Sequence, residues 1–125
     1  MNVFLIDDDV ALARSLEIIL TVKGWHVYAF ANAIDVCWFI ENGAYPDVLI
    51  VDQVMPDFTG IEVIDRVRAF LPRWCRVILI SGHTELVDKL DLKNHGISAF
   101  LPKPIDLDKL SSLVADTHMT TQHNP

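Results

Sequence analysis

Residues 48–51, Val-Leu-Ile-Val, form an unbroken β-branched and aliphatic run, preceded by Pro46-Asp47 and ended by Asp52. A strand with no polar alternation is buried on both faces, and such strands belong to parallel sheets covered by helices on each side. Pro56, Asp57 and Gly60 follow, which is turn and loop chemistry. A single carboxylate thus stands at the carboxyl end of a buried strand with a loop passing over it. In open α/β sheets that end of the strands is where ligands collect.

The rest of the chain supplies the helices and strands this requires. Val3-Phe4-Leu5-Ile6 is a short apolar run stopped by Asp7-Asp8-Asp9. Leu12, Leu16, Ile19 and Leu20 lie at helical spacing, and Gly24 is a natural stop. Residues 25–30 read as a second strand, and Asn32 as the N-cap of a helix ending at Gly43. Thr59-x-x-Glu62 has capping-box form and opens a helix running to about Leu71, stopped by Pro72. Residues 77–80 read as a fourth strand ending at Ser81-Gly82, and residues 85–95 as a weaker helix ending at Gly96. Residues 97–101 read as a fifth strand closed by Pro102-Lys103-Pro104. Asp106 caps a last helix to about Asp116. Strand and helix alternate five times, which predicts an α/β fold: one doubly wound, five-stranded parallel sheet with five helices. Right-handed crossovers leave the flavodoxin-like order 2-1-3-4-5, which sets the Asp7-Asp8 end and Asp52 across one cleft. The 125 residues suit one domain, expected over residues 1–117, with 118–125 a polar tail or the start of a linker.

Charge and cysteine content narrow the functions. A formal net charge of −7 disfavours binding to nucleic acid or an anionic membrane surface. No apolar run is long enough to span a bilayer and no signal peptide is evident, so a cytoplasmic protein is expected. Cys37 and Cys75 have no paired spacing and read as reduced thiols, a structural disulfide being the alternative.

Acids (Asp7, Asp8, Asp52), a hydroxyl (Ser81) and a lysine (Lys103) gather at the strand ends. Clustered carboxylates repel, and a hard divalent cation such as Mg²⁺ resolves the repulsion. A carboxylate beside that cation can act as nucleophile and form an aspartyl-phosphate. The cation and a nearby ammonium would neutralise charge on the transferring group, and Ser81 could hydrogen-bond a phosphoryl oxygen. The blander readings are local. Asp9 reads as a helix N-cap, Asp57 and Glu62 as loop and capping residues, and His83 and His95 as surface histidines without partners. Trp25, Trp38 and Trp74 read as packing or partner-face residues.

With these motifs in order, Ile6-Asp7-Asp8-Asp9, Val51-Asp52, Met55-Pro56, Gly60, Ser81-Gly82 and Lys103-Pro104, the chain resembles the receiver domain of two-component response regulators over about residues 2–117. The resemblance implies that Asp52 accepts a phosphoryl group from a phosphohistidine on a sensor histidine kinase or a phosphotransfer protein. It implies that Asp8, Asp52 and the backbone carbonyl of Val54 ligate Mg²⁺, with Asp7 acting largely through water. Ser81 takes the place of the switch hydroxyl, Lys103 that of the lysine contacting the acid or the phosphoryl group, and Phe100 that of the aromatic switch residue. The face built from helix four, strand five and helix five would be read by partners and commonly dimerises. A regulatory domain, not an enzyme with turnover of its own, is expected. Val54 and His83 fall where side chains influence water at the phosphoryl group, and an apolar Val54 implies slow self-dephosphorylation.

Two other classes compete. A receiver fold could dock a partner without being phosphorylated, but the intact acid, hydroxyl and lysine set argues against it. A flavin carrier would need a Gly- and hydroxyl-rich phosphate loop where Asp7-Asp8-Asp9 stands. An aspartyl phosphatase would want an acid where Val54 stands. The output remains open: the chain reads either as a stand-alone receiver or as the N-terminal piece of a longer regulator, with no effector segment after the fifth helix.

Overall fold

The computed structural model describes residues 1–87 and 90–116. Its strands are β1 (Asn2–Ile6), β2 (His26–Phe30), β3 (Val48–Asp52), β4 (Arg76–Ser81) and β5 (Ala99–Pro102). Between them lie the helices α1 (Val10–Val22), α2 (Ala33–Glu41), α3 (Gly60–Val67), α4 (Thr84–Val87) and α5 (Leu107–Ala115). All strand pairs are parallel, in the order β2-β1-β3-β4-β5, as expected.

The two-residue period of a strand divides the sheet's side chains between two cores. Phe4, Ile6, Leu49, Val51, Val77 and Leu79 point to one face, where Val36, Ile40, Ile64 and Val67 of α2 and α3 cover them. Val3, Leu5, Val48, Ile50, Ile78 and Ile80 point to the other, under Leu16 and Leu20 of α1 and Leu110 and Val114 of α5. Burying each such side chain contributes roughly 1.5–3 kcal/mol, so the two-faced core outweighs local propensity in fixing the sheet.

The caps fall where the sequence places them. Asn32 Oδ1 accepts from Asp35 N at 2.9 Å and Asp106 Oδ1 from Lys109 N at 3.1 Å. Thr59 and Glu62 form a reciprocal capping box, Thr59 Oγ1 accepting from Glu62 N at 3.1 Å and Glu62 Oε1 from Thr59 N at 2.9 Å. Thr59→Ala is expected to cost about 1 kcal/mol, measured by urea unfolding, because one helix-end N–H loses its acceptor. No measurable loss would show that this end is held by other contacts.

Three expectations need correction. The weaker helix over 85–95 is a single turn, Thr84–Val87, among the described residues, so four longer helices accompany the sheet. Residues 92–96 form turns in which Asp91 accepts from Asn94 N and Gly96 adopts φ +73°. Asp and Asn compete locally for backbone groups, and a glycine in the left-handed region ends helical geometry. β5 begins at Ala99 and not at Ile97, because Ser98 turns its hydroxyl to Val77 N at 3.2 Å. The third helix ends at Val67 and tightens into a 3₁₀ turn, Arg68–Phe70, before Pro72. The expected tail lies outside the described residues.

Candidate functional site

The parallel register sets the acids side by side. Ile6 pairs with Val51 across β1 and β3, so the next residues, Asp7 and Asp52, lie together at the strand ends. Asp52 is opposite Ile80 of β4, and Ser81 is opposite Pro102 of β5. Lys103 N then donates to Ser81 O at 2.8 Å, which directs the lysine back toward the cleft.

Asp7 is fully buried and Asp52 only 3% exposed, whereas Asp8 is exposed on the cleft rim. Asp7 Oδ1 accepts from Asp9 N at 2.9 Å, and Asp52 Oδ1 accepts from Val54 N at 3.3 Å. The Lys103 ammonium lies 2.9 Å from Asp7 Oδ2 and 3.1 Å from Asp52 Oδ2. One cation therefore faces two buried carboxylates. Burial and the neighbouring Asp7 charge raise the Asp52 pKa, and the Lys103 contact and the Val54 N–H only partly oppose them. Burial works against the Lys103 charge, but the two carboxylates outweigh it and the ammonium is held charged.

The residues also fit a divalent cation. Asp7, Asp8 and Asp52 each offer an oxygen, and these oxygens lie within 4.8 Å of one another. Asp7 Oδ2 is buried and, among the described residues, receives no directed hydrogen bond, only the ammonium's proximity. An all-oxygen donor set with surplus negative charge suits a hard cation such as Mg²⁺.

The raised Asp52 pKa has a consequence for stability. In metal-free solution the folded state keeps this proton to higher pH than the unfolded chain does. Stability therefore falls as pH rises from the ordinary carboxylate range through the folded pKa, and the penalty is fully present above it. Asp52→Asn is expected to unfold at higher temperature than wild type at neutral pH without Mg²⁺. The difference, on the order of 1 kcal/mol, should close as pH falls toward about 4. A difference that does not change with pH would contradict this electrostatic origin.

Other expected residues sit around this centre. Ser81 is fully buried, its Oγ accepting from His83 N at 2.9 Å. Val54, 42% exposed, follows the acceptor by two residues. Phe100 is half-buried on β5 against the core under α2 and α3. His83 is exposed, with its Nδ1 3.8 Å from Glu85. His95 does have a partner: Nδ1 lies 3.0 Å from Asp65 of α3, and Arg68 Nη2 donates to the His95 carbonyl at 2.6 Å. Both cysteines are free and buried, and burial pushes the Cys75 thiol up to about 12. Trp25 packs on the core, while Trp38 and Trp74 are exposed.

Two buried polar residues escaped the sequence. Gln53, 8% exposed, turns its side-chain carbonyl to Ile61 N at 3.0 Å. Arg76, at the head of β4, donates from Nη1 to the carbonyls of Leu113 and Asp116 at the end of α5. A polar residue flanking an apolar run was the available signal in each case.

A protein-family model of the response regulator receiver domain matches residues 3–115. The transcriptional regulator NtrC of Proteus hauseri is 33% identical over 126 residues, covering 99% of this chain and 26% of that protein. The transcriptional regulatory protein KdpE of Mycobacterium tuberculosis is 32% identical over 107 residues, 86% of this chain and 46% of that protein. The chain thus spans about a quarter of the one relative and under half of the other. Among solved structures, a CheY-like receiver domain protein from Methanospirillum hungatei superposes with a TM-score of 0.87 at 23% identity, covering 98% of each chain.

Proposed function

This chain belongs to the response regulator receiver domain family, and we propose that Asp52 is the carboxylate through which it is switched. Its function is that of the family, phosphorylation-dependent signalling in two-component systems. The observation that carries the choice of Asp52 is its position: a buried carboxylate at the end of β3 with an ammonium at 3.1 Å.

In the proposed reaction an Asp52 oxygen attacks the phosphorus of a phosphohistidine on a histidine kinase or phosphotransfer protein. A P–O bond forms, the P–N bond breaks, and the imidazole leaves with a proton. With acetyl phosphate as donor, the leaving group is acetate. Asp7, Asp8, Asp52 and the Val54 backbone carbonyl would hold Mg²⁺, which supplies charge neutralisation for the phosphoryl oxygens. Lys103 contributes the protein's own positive charge and trades its contact with Asp52 for one with the phosphoryl group. The Ser81 hydroxyl reaches a phosphoryl oxygen by giving up its bond to His83 N, and Phe100 follows it inward. The face from α4 through β5 to α5 is then read by a partner or a second copy. The domain turns over no substrate of its own. Residues 1–117 are read as the receiver, and 118–125 as a polar tail or the start of a linker. No described helix is long and apolar enough to cross a membrane.

The test of the switch is a pair of two-dimensional NMR spectra with and without a phosphoryl donor. Shifts across residues 81–87 and 97–110 are expected; shifts confined to the immediate neighbours of Asp52 would refute switching.

Val54 sets how long the modified state lasts. An apolar side chain beside the acceptor cannot orient water, so the phospho-Asp52 lifetime is expected to be minutes or longer. Val54→Asn should shorten it by about tenfold or more. A wild-type lifetime of seconds would contradict this role.

A further inference from the structure

Gln53 directly follows Asp52, grips the start of α3 with two of its groups and is tied to β4 by a third. Its backbone N–H donates to Ile80 O of β4 at 2.9 Å, and its backbone carbonyl accepts from Gly60 N at 3.0 Å. Its side-chain Oε1 accepts from Ile61 N at 3.0 Å. The first turn of a helix has N–H groups with no partner inside the helix. Here Gly60 N and Ile61 N both go to Gln53, and Glu62 N goes to Thr59. A β-bridge between Val54 and Thr59 pinches the loop just above. The loop over the acid is therefore closed at its base by one residue, and Val54 is the next residue along.

We propose that Gln53 is a positioning residue for the cation and phosphoryl site: its side-chain carbonyl, by fixing α3 against the Asp52–Gln53 peptide, sets where Asp52 and the Val54 carbonyl stand. The inference rests on the cation reading of Asp7, Asp8 and Asp52 given above. A buried amide at this place costs desolvation that an aliphatic side chain would avoid, and α3 already has the Thr59–Glu62 capping box at its start. Groups that orient the ligands of a cation change its affinity by about 10- to 100-fold when removed.

The test compares Gln53→Met, which keeps length but removes the acceptor, with Gln53→Glu, which keeps an acceptor oxygen toward Ile61 N. Mg²⁺ binding is read by calorimetry and by competition with Mn²⁺ water relaxation, and phosphorylation by acetyl phosphate is followed across Mg²⁺ concentrations. Q53M is expected to weaken Mg²⁺ binding about tenfold. Its phosphorylation rate should recover at saturating Mg²⁺, and Q53E should bind Mg²⁺ with an affinity near the wild-type value. Mg²⁺ affinity of Q53M within twofold of wild type, or equal weakening in both variants, would overturn the proposal. So would a Q53M chain that fails to fold, since the residue would then be structural. A wild type that shows no Mg²⁺ binding at all would overturn the cation reading itself, and this inference with it.

Discussion

Asp52→Asn is expected to take up no phosphoryl group from acetyl phosphate under conditions in which the wild type is modified. The amide is nearly isosteric but is not a nucleophile, and loss of such a group typically lowers rate by three orders of magnitude or more. The neighbouring acids are poor substitutes. Asp7 is fully buried with Oδ1 committed to Asp9 N and Oδ2 beside Lys103. Asp8 is exposed, and the Lys103 ammonium pairs with Asp7 and Asp52 among the described residues. The same variant should be more stable than wild type in metal-free solution, for the electrostatic reason given above. Lost reactivity together with raised stability marks a functional carboxylate; lost reactivity with lost stability would mark a structural one. Intact mass and thermal unfolding on one preparation separate the two.

Gly60→Ala is expected to destabilise the domain by about 2 kcal/mol and lower its melting temperature by about 5–10 °C. A Cβ at this position would lie 2.8 Å from the Asp52 carbonyl oxygen, 2.9 Å from Leu79 Cδ1 and 3.1 Å from Gln53 Cα. Two of those three atoms are backbone and cannot rotate away. Alanine's higher helix propensity and lower unfolded-state entropy together return about 1–2 kcal/mol, so the clash must exceed that to win. It does so because relieving it moves the peptide that carries the acceptor, and slower phosphorylation should accompany the lost stability. Gly82→Ala is the control. There the nearest atom is Lys103 Cβ at 3.8 Å, an ordinary contact, so its melting temperature should stay within about 2 °C of wild type. Equal effects at the two glycines would show that close approach at Gly60 is not what matters.

The frame of this site was legible in the sequence because its determinants are local. The apolar run 48–51 identifies a two-faced strand, Thr59-x-x-Glu62 identifies a helix start, and alternation of the two element types orders the sheet. Once the order is 2-1-3-4-5, Asp7, Asp8, Asp52 and Lys103 must meet, and they do. What escaped depends on partners far along the chain. Arg76 caps carbonyls 37 and 40 residues away, and His95 meets Asp65 across 30 residues. No local pattern distinguishes such a buried arginine from an exposed one. Gln53 reaches only 8 residues ahead, but its role requires that the loop fold back upon it. The weaker helix expected over 85–95 gives way to turns at 92–96 because Asp91, Asn94 and Gly96 favour turn chemistry over the sparse apolar spacing there.

The most direct measurement is the intact mass of the wild-type chain after incubation with acetyl phosphate, with Mg²⁺ and with the metal chelated. A gain of one phosphoryl group with Mg²⁺, absent on chelation and absent in Asp52→Asn, is the expected result. Equal modification without the metal, or a gain that persists in Asp52→Asn, would contradict Asp52 as the acceptor at a cation site.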